Sequence, residues 1–227
     1  MSASNRWLSE GDKRWSRALI VGLLLVLLLL DAYALHQAYV QRMGNALDYY
    51  PFWAGGRQVL LHQRNPYSPD VMRNIQEAIY GRPALPGENQ HGYAYPAYSP
   101  LIVAPFLALP FSISAALWIA VQQVLMVASI ALIVRATGWS LRPWHLALLC
   151  LAAMTYRYAM IAFVLGQTST WVFFCLSLAL WAATRQRAGL AGLALAGGLI
   201  KPQLILLPAL ALLVTLQPAR RLRLILS

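Results

Sequence analysis

The sequence predicts an all-α fold: a polytopic membrane helical bundle with one large structured loop outside the membrane. The chain has 227 residues, of which 59% are hydrophobic and only 11% are charged. A soluble domain of this length needs far more charge to cover its surface. Seven apolar runs point the same way, at residues 18–30, 98–111, 115–134, 146–155, 170–183, 188–200 and 204–216.

Positive charge next to the apolar runs sets the expected orientation. The formal net charge is +11, but most arginines flank apolar runs, which indicates membrane topology and argues against a nucleic-acid partner. Residues 1–17 are therefore predicted to be a cytoplasmic tail, and residues 18–40 a first span that runs outward. An alternative is a signal peptide with Ala32 and Ala34 in its cleavage site. Both interpretations place the following residues outside, and the first describes a multi-pass protein of the plasma (inner) membrane.

Later basic loops fix the direction of the remaining spans. Arginines mark three of them, at residues 135–142, 185–187 and 220–223. If all three loops are cytoplasmic, residues 113–217 contain five further spans. The turns at Gln167 and at Lys201 then face outside.

Residues 99–111 do not fit this alternation. The segment is apolar but short, and it contains Pro105 and Pro110. If it crossed the membrane, the basic loops would face the wrong side. It is therefore predicted to be re-entrant or half-inserted, with a short true span as the alternative.

Residues 41–98 form the only long polar stretch and are predicted to be an extracytoplasmic loop with its own helices. Trp53, Arg57 and their neighbours suit a helix that lies at the membrane interface. Ser68 is a suitable N-cap for a second helix, which is expected to stop at Gly81.

Asp48 is the first candidate for chemistry, because it is one of only seven acidic residues and lies just beyond the first span. A carboxylate in that place can act as a general base toward a hydroxyl group. The alternatives are a solvated loop acid or a cap for the helix that follows. Asp31, near the outer end of the first span, is a second-choice acid.

Two more candidates lie at the outer turns. Lys201 is one of two lysines and stands at a helix break before Pro202. It could be a snorkelling anchor or could pair with an anionic lipid head group. Gln167 could satisfy free backbone groups or bind sugar hydroxyls. The histidines show no ligand spacing, so no metal site is predicted.

Four sequence stretches together resemble glycosyltransferase family 87. They are "LDYYPFWAGGRQVLLHQRNPYSPD", "YAYPAYSPLIVAPFLALP", "LGQTSTWVFFCLSLALW" and "AGLALAGGLIKPQLILLPALAL", and the similarity runs from about residue 18 to the C-terminus. Such proteins are polytopic GT-C enzymes that use a polyprenyl-phosphate sugar, typically polyprenol-phosphate mannose, on the outer face of the membrane. The resemblance implies an inverting hexosyltransferase, with mannose as the expected sugar and a glycan or glycolipid acceptor. It implies membrane lipid as a partner and no cofactor besides the donor.

The resemblance also implies roles for individual residues. Asp48 matches the acid that acts as general base, and Lys201 the lysine expected to face the donor phosphate. Gln167 matches a glutamine expected to line the acceptor or sugar pocket. Further substrate-binding positions are expected at a second set of residues, which shape the loop or support the departing phosphate: Arg57, Arg64, Asn65, Tyr67 and Tyr95.

Two departures from the family pattern qualify these implications. Ala97 stands where the family has a second proline, which loosens a rigid turn. The chain is also shorter than such enzymes usually are, so it is expected to be an N-terminal portion that lacks the C-terminal spans. The alternatives to an enzyme are a membrane transporter or lipid-handling permease and a non-catalytic lipid-binding subunit.

Overall fold

The computed structural model describes residues 23, 25–27, 29–43 and 48–215. The predicted cytoplasmic tail, the start of the first predicted span and the basic residues at 220–223 lie outside this part of the chain. Where it is described, the chain is helical and has no strand, as predicted. Within the same ranges, nine helices and one 3₁₀-helix follow each other: α1 Leu25–Val40, α2 Tyr49–Leu60, α3 Pro69–Tyr80, the 3₁₀-helix Ser99–Phe106, α4 Phe111–Thr137, α5 Pro143–Thr155, α6 Arg157–Val164, α7 Ser169–Thr184, α8 Ala188–Gly198 and α9 Pro202–Thr215.

Helix α1 ends in a π-helical turn, His36–Val40, after which Gln41–Met43 continue as one α-helical turn. It contacts α4 and contributes the buried Ala32 and Val40 to the core. Leu25, Leu27, Leu29 and Leu30 of this helix are each more than half exposed. Large contiguous apolar surfaces are rare on soluble proteins, so this is the surface expected of a helix that contacts lipid.

Helices α2 and α3 form the body of the outer loop. Helix α2 buries Tyr49 and Phe52 and packs its glycines closely against the chain that follows. A Cβ on Gly55 would lie 2.1 Å from the Tyr93 ring, so only glycine lets that ring approach. In α3 the predicted boundaries are confirmed. Ser68 takes the N-cap position without a side-chain capping bond, and Gly81 ends the helix at φ 72°.

The apolar segment before α4 is a 3₁₀-helix, Ser99–Phe106, packed against α2. At about 2 Å rise per residue, its eight residues extend only about 16 Å. The hydrocarbon core of a bilayer is about 30 Å thick, so this helix is too short to cross one alone.

Helix α4 is the only described helix that is long and apolar enough to cross a bilayer without a break. The predicted span at 143–164 is interrupted: α5 and α6 meet at 63°. Tyr156 takes an extended conformation there, at φ −60° and ψ 127°. If the bent pair counts as one span, there are two candidates among the described residues. Helices α7, α8 and α9 are apolar but have only 16, 11 and 14 residues, so five spans in this region stay a prediction.

Helix α7 packs against both α4 and α8, and much of the core lies along these two contacts. Helices α7 and α8 meet through small buried residues, among them Ala179 and Ala191, which let helix backbones come close. Two turns at one end of this core carry candidate residues. Gln167 follows Gly166 between α6 and α7, and Lys201 lies between α8 and α9.

Candidate active site

The carboxylate of Asp48 is held by a residue distant in sequence. Its Oδ2 accepts a 2.7 Å hydrogen bond from Nε2 of Gln167. Asp48 occupies the N-cap position of α2, but its side chain makes no capping bond. The next residue, Tyr49, donates its backbone N–H to the carbonyl of Leu165 at 3.1 Å. The carboxylate is therefore directed at the turn between α6 and α7, and helix capping does not explain its orientation.

The Gln167 side chain reaches Asp48 because of the tight turn before it. Gly166 adopts φ +68°, and a Cβ there would lie 2.7 Å from Cβ of Tyr49. The backbone N–H of Gln167 donates to the Ala162 carbonyl at 2.8 Å. A residue with a side chain at position 166 would suffer both the left-handed backbone conformation and this close approach.

Lys201 lies on the same side of the molecule, half-buried between α8 and α9. Its Nζ donates a 2.8 Å hydrogen bond to Oγ of Ser169, the first residue of α7. Burial lowers the pKa of Lys201, and the nearby charge of Asp48 partly opposes this lowering. Within the described residues no contact ion pair joins the two side chains, so the ammonium group keeps donors for another partner.

Asp48, Gln167 and Lys201 line one cavity of about 490 Å³. Tyr95 also lines it, and burial together with the Asp48 charge raises the pKa of Tyr95 to about 12, which keeps its hydroxyl neutral. The remaining lining residues come mainly from the end of the outer loop: Pro51, Met72, Asn89, Gln90, His91, Gly92, Tyr93 and Ala94.

The turn at residues 65–67 of the outer loop, with the sequence NPY, is hydrogen-bonded to the backbone of Tyr95. The Tyr67 hydroxyl donates to the carbonyl of Tyr95 at 2.5 Å. The Tyr67 backbone N–H donates to Oδ1 of Asn65 at 3.0 Å. The Tyr95 ring also packs on Phe52 of α2, with 4.6 Å between ring centroids. Asn65 and Tyr67 thus shape the loop and are not among the residues that line the cavity.

Comparison with known proteins adds one finding. The model of glycosyltransferase family 87 matches residues 93–227. The chain belongs to glycosyltransferase family 87. The searches of curated proteins and of solved structures gave no match.

Membership of family 87 indicates a glycosyltransferase, and the enzymes of this family are membrane proteins. The match covers five of the residues that line the cavity: Tyr93, Ala94, Tyr95, Gln167 and Lys201. The match begins after Asp48. Asp48 is connected to the matched segment by its hydrogen bond to Gln167, and it lines the same cavity.

Arg57 and Arg64, which were predicted to support the departing phosphate, do not line the Asp48 cavity. The guanidinium of Arg57 donates to the carbonyl of Leu107 and stacks over the Trp53 ring, 4.9 Å from its centroid. It lines a separate, smaller cavity between α2 and α3. Arg64 is exposed beyond the end of α2. Neither arginine lines the Asp48 cavity, because Arg57 is bonded to the Leu107 carbonyl and Arg64 follows the end of α2 on the surface.

Ser169 and the polar loop that borders the cavity were not predicted as functional residues from the sequence. Gln76 of α3 donates to the Gln90 carbonyl at 2.8 Å, and the Tyr80 hydroxyl donates to the Asn89 carbonyl at 3.0 Å. These bonds hold the loop against α3. The dense polar run "GENQHG" just before the "YAYP" motif was the signal that could have identified it.

Asp31, the second-choice acid, is not among the residues that line this cavity. Among the described residues no three His, Cys, Asp or Glu side chains lie close enough to hold a metal ion. Cys150 and Cys175 are free thiols.

Proposed function

We propose that this protein transfers a hexose, with mannose the expected sugar, from a polyprenyl phosphate to an acceptor hydroxyl on the extracytoplasmic face of the plasma membrane. One observation carries the proposal: among the described residues, a single carboxylate and a single lysine line the same cavity. These are the two charges that a one-step glycosyl transfer from a phosphate needs, a base for the acceptor and a cation for the leaving group.

Asp48 is the proposed general base. The Gln167 amide donates a hydrogen bond to Oδ2 of Asp48, and Oδ1 has no hydrogen-bond partner within the described residues. One oxygen thus orients the carboxylate while the other can accept a proton. Positioned bases of this kind contribute about 10²–10⁴-fold to a rate.

Lys201 is the proposed partner of the donor phosphate. Its ammonium lies beside the N-termini of α7 and α9, which begin at Ser169 and Pro202. Both helix ends carry partial positive charge and favour an anion nearby. As the bond to the sugar breaks, the phosphate gains negative charge, so a fixed cation stabilises the transition state more than the bound donor.

The chemistry is a single displacement. The acceptor oxygen attacks the anomeric carbon, the bond from that carbon to the phosphate oxygen breaks, and its electron pair stays on the phosphate. The acceptor proton passes to Asp48. A retaining double displacement needs a second group as nucleophile. Asp48 is the only acid among the described residues lining this cavity, which favours inversion. The donor supplies its own leaving group, so the proposal assigns no cofactor.

An apolar groove beside Lys201 suits the polyprenyl chain. The groove, between α7 and α8, has a volume of about 520 Å³ and an almost wholly apolar lining that includes Trp171, Phe174 and Leu193. It ends at Leu199, two residues before Lys201. A lipid chain in this groove would place its phosphate at the lysine.

The test is a transfer assay with the protein in oriented membrane vesicles. Radiolabelled sugar is supplied either as polyprenyl-phosphate mannose or as a nucleotide sugar, with a mixture of glycolipid acceptors. We expect transfer from the lipid donor only, from the extracytoplasmic side, with inverted anomeric configuration. Transfer from the nucleotide sugar, or retention of configuration, would refute the proposal. Donor binding without any transfer would favour the non-catalytic lipid-binding alternative.

A further inference from the structure

A stripe of polar side chains on α4 holds both segments that form the Asp48 site. Ser114, Trp118 and Gln122 follow one another at four-residue spacing, so they lie on one face of the helix. All three are at most 1% exposed. None of them lines the cavity.

Two of these residues bond the segments next to the site. Ser114 Oγ and the Tyr49 hydroxyl lie 3.0 Å apart. The Trp118 indole N–H donates to the Gly166 carbonyl at 2.9 Å, and its ring stacks on Tyr49 at 5.8 Å between centroids. Tyr49 follows Asp48 and Gly166 precedes Gln167, so both contacts act on the neighbours of the hydrogen-bonded pair.

Gln122 makes a hydrogen bond to the turn between α6 and α7 that carries Gln167. One of its amide atoms lies 2.6 Å from the Gln167 carbonyl oxygen and the other 2.9 Å from the Trp118 indole nitrogen. Since a carbonyl oxygen only accepts and an indole N–H only donates, the first atom must be Nε2 and the second Oε1. The amide therefore donates to the Gln167 carbonyl and accepts from the Trp118 N–H, which is shared with the Gly166 carbonyl as a three-centre bond.

We propose that Gln122, with Trp118, is a positioning residue for catalysis: from the helix core it sets where the Gln167 amide, and through it the Asp48 carboxylate, points. The inference rests on the proposed function of Asp48. A buried glutamine in a membrane helix is costly unless its amide is fully bonded. Here both of its polar atoms have partners, and both partners belong to the site or to Trp118.

The experiment compares Gln122→Leu with Gln123→Leu in the transfer assay. Gln123 is the next residue of the same helix, about 100° further around its axis, so the chemical change is matched. Gln122→Leu leaves the Gln167 carbonyl without a donor. We expect kcat to fall about tenfold or more, since small displacements of catalytic groups have effects of this size. KM for the lipid donor is expected to stay within about twofold, because Lys201 is not touched.

Gln122→Glu provides a readout that a purely structural role would not move. When the introduced carboxyl group is protonated, it can donate to the Gln167 carbonyl, whereas the ionised group cannot. The variant is expected to approach the wild-type kcat at low pH and to lose activity as the pH rises, in a pH range where the wild type does not change. This variant also covers the case in which Gln122→Leu fails to fold.

The inference is overturned if Gln122→Leu and Gln123→Leu have the same kcat, or if Gln122→Glu has the pH profile of the wild type. Asp48→Asn separates this failure from a failure of the proposed function. An inactive Asp48→Asn beside a fully active Gln122→Leu overturns only the positioning role. A fully active Asp48→Asn overturns the role of Asp48 itself.

Discussion

The Gln167 amide lies 2.7 Å from Oδ2 of Asp48 and joins two segments that are 119 positions apart in the chain. This bond selects the orientation of a carboxylate that could otherwise cap α2. It also leaves the second carboxylate oxygen free to accept a proton in the described structure.

Shortening Gln167 should lower turnover even though the amide is kept. Gln167→Asn removes one methylene, so its amide can no longer reach Oδ2 from the same backbone position. We expect kcat to fall at least about tenfold with little change in donor KM. Gln203→Asn, at the exposed start of α9, is the matched control and should behave as the wild type. A fully active Gln167→Asn would show that this bond does not orient the base.

Lys201 should give the reaction an alkaline limit. Burial lowers its pKa, so the ammonium loses its proton at a lower pH than an exposed lysine. We expect kcat/KM for the lipid donor to fall as the pH rises through this lowered pKa. Lys201→Arg keeps its charge to a much higher pH, so its activity should persist further into the alkaline range. The same alkaline limit in both proteins would contradict the assignment.

The same pKa shift has a consequence for stability. Because the pKa of Lys201 is lower in the folded than in the unfolded chain, the unfolded chain binds more protons between the two values. The free energy of unfolding should therefore rise with pH in that window. Lys201→Met should abolish this rise, as measured by thermal unfolding in detergent at several pH values. If the unfolding of Lys201→Met had the same pH dependence as that of the wild type, the lowered pKa of Lys201 would be contradicted.

Gly166→Ala and Gly138→Ala form a matched pair of substitutions. Both glycines have positive φ values, +68° and +72°, but a Cβ on Gly138 meets nothing within 4 Å. Gly138→Ala should cost only the left-handed conformation, about 1 kcal/mol. Gly166→Ala adds the contact with Tyr49 and should lower Tm further, and it should also lower kcat because it displaces Gln167. Equal Tm values for the two variants would contradict this packing.

The polar loop at the cavity edge should affect the acceptor more than the donor. Asn89 and His91 line the cavity on the side of the outer loop, whereas Lys201 comes from the turn before α9. We expect His91→Ala to raise the acceptor KM severalfold and to leave the donor KM unchanged. His62→Ala, exposed and not among the residues lining the cavity, is the control. A rise in donor KM for His91→Ala would place the donor on this side instead.

Several features followed from local rules of sequence. The bounds of α3 were predictable because Ser68, Pro69 and Gly81 are strong boundary signals at the expected spacing. Asp48, Gln167 and Lys201 were expected on one side from the pattern of positive charge, and the structure brings all three to one cavity.

Other features depend on tertiary packing that local sequence does not encode. The bend at Tyr156 has neither proline nor glycine to mark it. The partner of Arg57 could not be assigned from sequence, since it follows from the packing of α2 on the 3₁₀-helix. The carbonyl of Leu107, just after that helix, accepts a hydrogen bond from the guanidinium. The partners of Gln122 lie 45 residues away or belong to its own helix, so its polarity alone could not identify its role.

The most direct test of the account compares Asp48→Asn with Asp70→Asn in transfer from polyprenyl-phosphate mannose. Asp70 is an exposed acid of the same outer loop, in the first turn of α3, so both variants lose one negative charge from one segment. We expect Asp48→Asn to lower kcat by about 10² or more while it still binds the donor, and Asp70→Asn to retain wild-type turnover. Near-normal turnover by Asp48→Asn would contradict the central claim that this carboxylate is the catalytic base.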